Sequence, residues 1–286
     1  MHPKRFFLSA FAILIVAEMA QPPRTVDAPH PADQFAVVRG LKLQYVDWGG
    51  RGDVVLFLPG LGASAHHFDS FAPRFTGNFH VLGLTRRGQG LSDKPSAGYD
   101  TATLAADING FLDVMGLQRV NLIAHSIGGV EMTRFAALHP SRAAKLVYLD
   151  AAYGTEGFQL MADAGIPYPP YRSDAERQIN TSQSTPDFAG VKAPMLAFFV
   201  VPDIGYAAQP DTVLCPACSP DVVANVKQFW QLMEDKNFWN MQIDRFRREA
   251  KQARVVLLHG TNHMFFVDPD QTDAVVKAIE DFLSER

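Results

Sequence analysis

From residue 35 to the end of this 286-residue chain, continuous apolar runs alternate with amphipathic segments, and that alternation limits the fold more than any other feature. Val54-Val55-Leu56-Phe57-Leu58 contains no polar residue. A strand with one wet face would alternate apolar and polar side chains. A run apolar at every position suits a strand covered on both faces, as in a parallel sheet. Phe79 to Leu84, Val120 to Ala124, Lys145 to Leu149, Met195 to Val201 and Val255 to Leu258 read as further strands. Helices are expected between and after them. One runs from Thr101 to Met115, with Asp100 or Thr101 as N-cap and Gly116 as its stop. Others cover Val130 to His139, Asp221 to Ala250 and Thr272 to Leu283. The start differs, because Phe35 to Val38 and Leu41 to Val46 flank Arg39-Gly40 and read as a hairpin. The pattern predicts one α/β domain over residues 35–286, a mostly parallel central sheet flanked by helices on both faces.

Two stretches break the rhythm, at about 151–192 and 204–253. The first carries Phe158, Met161, Tyr168, Tyr171 and four prolines; the second carries Phe229, Trp230, Phe238, Trp239 and Phe246. Insertions that follow sheet strands lie at the ligand-binding end of such folds, so both read as parts of a small cap or lid. Most of their aromatics are expected to anchor that cap to the core.

Residues 1–20 read as a signal peptide or N-terminal anchor, and 21–34 as a linker. Lys4 and Arg5 precede the apolar run Phe6 to Ala17, which has signal-peptide proportions and is short for a membrane span. Ala20 suits the position just before a cleavage site, whereas Glu18 is a poor residue two positions further back, at −3, so a retained anchor stays open beside export. In an exported, oxidising setting Cys215 and Cys218, spaced C-P-A-C, could form a short disulfide. Two cysteines without paired histidines do not make a zinc site, and no metal or cofactor is expected. A formal charge of −4 gives no basic excess for nucleic acid. The partner expected is instead a small hydrophobic molecule.

The chemistry centres on Val120 to Gly129, VNLIAHSIGG. A buried strand stops at His125-Ser126, two glycines follow, and a helix leaves. This strand–turn–helix resembles the nucleophile elbow G-x-S-x-G, with Ala124 at the first glycine position. A hydroxyl needs a base within reach and an acid to orient that base. Of nine histidines, His263 stands just past the last strand, in Gly260-Thr261-Asn262-His263, and is the expected base; His259 is its rival. Asp203, after the strand Met195 to Val201, is the favoured acid, and Asp150, at the end of Lys145 to Leu149, is the alternative. The oxyanion hole would take the amides of Ile127 and Leu61, the latter in Pro59-Gly60-Leu61-Gly62 after the strand Val54 to Leu58.

With these residues the chain resembles the α/β-hydrolase superfamily, in its serine-hydrolase branch with a cap. The resemblance rests on LPGLG (58–62), TRRGQGLSDKP (85–95), AHSIGG (124–129), KAPMLAFFVVPD (192–203) and HGTNHMFFVDP (259–269). Three positions depart from the family pattern: Pro59 replaces a frequent histidine, Ala124 a glycine, and Val200 the glycine that often precedes the acid. The resemblance implies the α/β-hydrolase fold and acyl transfer through Ser126. Hydrolysis of a carboxylic ester is the first expectation, with lactone, thioester or carbon–carbon bond cleavage as alternatives. A slow-turnover ligand-binding protein of the same fold is a rival of another class.

Overall fold

The computed structural model describes residues 31–166, 171–201 and 219–285. The expected signal segment, Asp203, and Cys215 with Cys218 lie outside the described residues.

Eight strands form one sheet: β1 Gln34–Val38, β2 Leu41–Gly49, β3 Val54–Leu58, β4 His80–Leu84, β5 Val120–His125, β6 Ala143–Leu149, β7 Met195–Val201 and β8 Arg254–His259. Their order across the sheet is β1-β2-β4-β3-β5-β6-β7-β8. β1 pairs antiparallel with β2, and β2 with β4; every later pairing is parallel. The hairpin that its turn residues imply lies at one edge of the sheet. Asp33, just before it, already accepts a hydrogen bond from His66 Nε2 at 2.9 Å.

β3 is apolar at every position and the other central strands are nearly so, because alternate side chains enter two different cores. Leu56, Leu58, Leu122, Leu146 and Tyr148 pack with Ile108, Phe111 and Phe135, the inward residues of α1 (Thr101–Val114) and α2 (Gly128–Leu138). Val55, Phe57, Ile123, Val147 and Leu149 face the other way. They meet Phe68, Phe71 and Phe75 from two short 3-10 turns, and Ile279 and Phe282 from the last helix, Thr272–Ser284. Truncating one such fully buried ring, for example Phe57→Ala, costs about 3–5 kcal/mol. α1 begins as expected, with the Asp100 carboxylate accepting the N–H of Thr103 at 3.0 Å.

Two helices fill the described part of the first excursion, which the sequence pattern leaves irregular: α3 (Glu156–Asp163) and α4 (Asp174–Thr181). Each has eight residues, too few for a periodic signal amid prolines. A local signal does exist at α4. Ser173 caps it by accepting the Glu176 N–H at 3.2 Å, and the Glu176 carboxylate turns back to the Arg172 N–H at 3.0 Å. That is a variant of the S-x-x-E capping box. The long helix expected from Asp221 to Ala250 is two helices, α5 (Pro220–Asp235) and α6 (Phe238–Glu249). Asn237 breaks it with a left-handed backbone, φ 51°, which asparagine tolerates better than most residues. The final helix, Thr272–Ser284, is then α7.

In this strand order the chain leaves β3 toward β4 on one side and β5 toward β6 on the other. The crevice between β3 and β5 is thus the point where an open parallel sheet receives its ligand. Ser126 and the Pro59-Gly60-Leu61 loop both open there.

Candidate active site

The serine is held by backbone constraint. β5 ends at His125, α2 starts at Gly128, and the chain turns between them with Ser126 at φ 56°. A non-glycine residue in that region costs of order 1–3 kcal/mol and persists only where the surroundings enforce it. Here the two glycines show what enforces it. A Cβ on Gly129 would lie 2.0 Å from the carbonyl oxygen of Ala151, and one on Gly128 would lie 2.8 Å from that of Leu58. α2 therefore approaches the ends of β3 and β6 backbone to backbone, and only glycine allows it. Ala124 is buried in the sheet and its methyl sits in the core, so the departure from the elbow pattern is accommodated.

His263 follows β8 in a tight loop in which Asn262 Oδ1 accepts the Met264 N–H at 2.7 Å. Its Nδ1 lies 2.7 Å from Asp150 Oδ2, both groups being buried. The carboxylate accepts a hydrogen bond from Nδ1–H, which leaves Nε2 as the basic nitrogen. Asp150 is itself placed by strain and hydrogen bonds. Its φ is 48°, its other oxygen accepts the Val200 N–H at 2.9 Å, and the Tyr153 hydroxyl donates to that same oxygen. Burial first, and then the adjacent Asp150 charge, push the Tyr153 phenol well above its ordinary pKa, so it stays a donor. Among the sequence candidates the structure brings Ser126, His263 and Asp150 to one edge of the sheet. Asp203, the acid favoured from sequence, lies outside the described residues, and the carboxylate on His263 Nδ1 is the alternative, Asp150. The rival His259 is exposed at the end of β8.

Leu61 and Ile127, the expected oxyanion donors, belong to one apolar cluster with Tyr99, Leu104 and Ile179, so the two loops meet. Sequence reasoning missed what stands behind the base. The His125 ring packs on His263 with centroids 4.2 Å apart. Its Nε2 donates to the His263 backbone oxygen at 3.2 Å. His67 stacks on His125 in turn, at 5.1 Å and 17°. Burial drives both pKa values down, helped by the charge of His263: His67 to about 4, His125 well below its ordinary value. Two neutral imidazoles thus back the one expected to take a proton. Adjacency of His125 to Ser126 was the only sequence signal for this column, and nothing in the sequence linked it to His67. Among the described residues no group of three or more His, Cys, Asp or Glu side chains could hold a metal ion.

The family model described as alpha/beta hydrolase fold matches residues 53–188, from β3 through the elbow to the first excursion. The chain has the α/β-hydrolase fold, and just under half of it is similar to that family. A non-heme chloroperoxidase of Streptomyces lividans is 38% identical over 39% of this chain and 42% of its own length. An N-formylmaleamate deformylase of Pseudomonas putida is 30% identical over 52% of this chain and 54% of its own. The match thus spans about two-fifths to half of these curated relatives. The solved structure of an enol-lactonase from Burkholderia xenovorans superposes with a TM-score of 0.60 at 21% identity, covering 88% of this chain and all of that one.

Proposed function

We propose that this α/β hydrolase cleaves a carboxylic ester of a small or medium hydrophobic substrate through an acyl-enzyme. The observation that carries the reading is the buried 2.7 Å contact between His263 Nδ1 and Asp150, at the same sheet edge as a serine held at positive φ. Ser126 Oγ attacks the carbonyl carbon while His263 Nε2 takes its proton, and Asp150 steadies the imidazolium that forms. The tetrahedral oxyanion is met by the amides of Leu61 and Ile127. Collapse expels the alcohol, protonated by His263; water then attacks the acyl-serine by the same route and releases the acid. The deformylase among the relatives supports hydrolysis at a carbonyl carbon, so lactone and thioester substrates belong in the same panel. Carbon–carbon cleavage belongs there too, because the H-S-x-G-G elbow is shared with family members that perform it.

Purified protein is expected to hydrolyse p-nitrophenyl butyrate and to be labelled by a fluorophosphonate at Ser126. Neither turnover nor labelling would leave a ligand-binding protein of the same fold as the better account. The basic and apolar start of the chain supports export, with a retained anchor as the other outcome. Fractionation of cells carrying the full-length chain tests that, and protein confined to the cytoplasm would sink it.

A further inference from the structure

Arg86 stands two residues past the end of β4 and is buried, its side chain 4% exposed. A guanidinium carries five N–H donors, and all five of these are engaged. Nε and one Nη2 hydrogen go to the Glu131 carboxylate, at 3.2 and 2.8 Å. Nη1 donates to the Gly60 carbonyl at 2.7 Å and to Gln89 Oε1 at 2.8 Å, and Nη2 donates to the Pro59 carbonyl at 2.6 Å. With its donors spent inside the protein, Arg86 is not placed to grip a substrate. What it grips is the loop that carries Leu61.

We infer that Arg86, held by Glu131, is a positioning residue that aims the oxyanion donor of Leu61 and locks it to the serine's helix. This rests on the hydrolase reading above. The Gly60–Leu61 peptide is trans, like every peptide bond described. In a trans peptide the C=O and the following N–H point in opposite directions on one rigid plane. A hydrogen bond that fixes the Gly60 carbonyl on the Arg86 side therefore fixes the Leu61 N–H on the other. The neighbouring Pro59 carbonyl is held between Arg86 Nη2 and the first turn of α2, where a Cβ on Gly128 would come within 2.9 Å of it. Glu131 lies one turn further along α2, the helix whose start carries Ile127. Both amides of the hole are thus fastened to one buried ion pair. A loop held by apolar contacts alone could rotate that peptide by tens of degrees. A bidentate Arg–carboxylate pair with two further carbonyls on the fork leaves it one orientation.

Arg87 supplies the internal control. It is also buried and bidentate, with Nε and Nη2 each 2.6 Å from the Asp107 carboxylate. Asp107 belongs to α1, and the hydrogen bonds and ion pairs of that pair reach neither the Leu61 loop nor the elbow.

The test compares Arg86→Lys, Arg86→Gln, Glu131→Gln and Arg87→Lys with wild type, each first shown to be folded by circular dichroism. Arg86→Gln is expected to lower kcat on p-nitrophenyl butyrate by ~10–100-fold, below the ~10²–10³-fold typical of deleting an oxyanion donor. KM should change little, and affinity for a trifluoromethyl ketone should weaken in step with kcat/KM. Glu131→Gln should follow in the same direction, Arg86→Lys should recover part of the loss, and Arg87→Lys should alter stability without altering kcat. Equal losses of kcat in the Arg86 and Arg87 variants, or an Arg86→Gln loss confined to KM, overturn the inference. If Arg86→Gln does not fold, Arg86→Lys decides on the same measurements. Hydrogen exchange of the peptide spanning residues 59–64, read without substrate, separates this inference from the hydrolase reading. Faster exchange in the Arg86 variants of a protein whose wild type is inactive would sink the activity and keep the anchoring. Unchanged exchange in an active enzyme would do the reverse.

Discussion

The crevice edge and the helical excursions above it are both buried, yet they are held by opposite kinds of force. At the edge nearly every contact has a direction: the Asp150 carboxylate between His263, Val200 and Tyr153, and the Arg86 fork on two loop carbonyls. In the excursions aromatic surface does the holding. Trp230 stacks on Trp239 at 5.2 Å and 7°, Phe238 meets Trp239 edge-on at 5.9 Å, and Phe246 packs on Phe188 and Phe199. Directed contacts fix atoms to within tenths of an ångström and tolerate little substitution, whereas apolar packing fixes volume and tolerates repacking. Chemistry can therefore stay constant at one region while substrate choice shifts in the other. Tyr153 joins the two, its hydroxyl on Asp150 and its ring stacked over Phe238 at 6.5 Å.

The contrast can be broken most forcefully at the serine. Ser126→Ala is expected to abolish fluorophosphonate labelling and lower kcat by ~10⁴–10⁶-fold, by analogy with other serine hydrolases whose nucleophile is removed. Unchanged turnover would remove the edge from the chemistry altogether. Next in size is the acid. Asp150→Asn should cost ~10³–10⁴-fold in kcat, because the amide no longer holds the imidazole in its productive tautomer. Asp203→Asn should keep most activity; the opposite ranking in a kcat comparison would transfer the role to Asp203.

The histidine column sharpens the comparison through pH. His67 titrates at about 4 in the folded chain and near 6.5 when unfolded, and His125 is displaced in the same direction. Between those values these two rings bind more protons in the unfolded chain, so their contribution to stability is full above pH 6.5 and falls as pH drops toward 4. For a ring that is neutral when folded and charged when unfolded the slope is on the order of 1 kcal/mol per pH unit. Urea midpoints measured at pH 7 and 5 check this, and His67→Phe should flatten the dependence. Smallest is the effect in the excursions. Trp239→Phe is expected to cost about 1–1.5 kcal/mol of stability and to shift ester chain-length preference by less than ~10-fold, leaving kcat on the best substrate near wild type. A loss comparable to that of Asp150→Asn, in a substrate panel, would erase the distinction between the regions.

Legibility in the sequence follows the same divide. Apolar runs such as Val54 to Leu58 announce buried parallel strands, because each position reports on one of two cores. The elbow is legible because Ser126, Gly128 and Gly129 are local backbone requirements within four residues. Helices α3 and α4 were not legible, being eight residues each and held by contacts far along the chain. The break between α5 and α6 hides in a single left-handed Asn237, where no glycine or proline marks it. Arg86 was visible only as one letter in a family motif. Its partner Glu131 is 45 residues away, and no periodicity connects them.

What the sequence determined by itself is what short-range physics can write: the order of strands and helices, a serine on a forced turn, and a histidine after the last strand. Which carboxylate meets that histidine was a different kind of question. Asp150 and Asp203 both follow sheet strands, and composition and spacing rank them by custom alone. The tertiary structure seats Asp150 against His263 across 113 residues of sequence, because β6 lies between β5 and β7 and its strained last turn projects a carboxylate toward the β8 loop. A contact of that range depends on sheet order and register, and neither is carried by any local stretch of the chain.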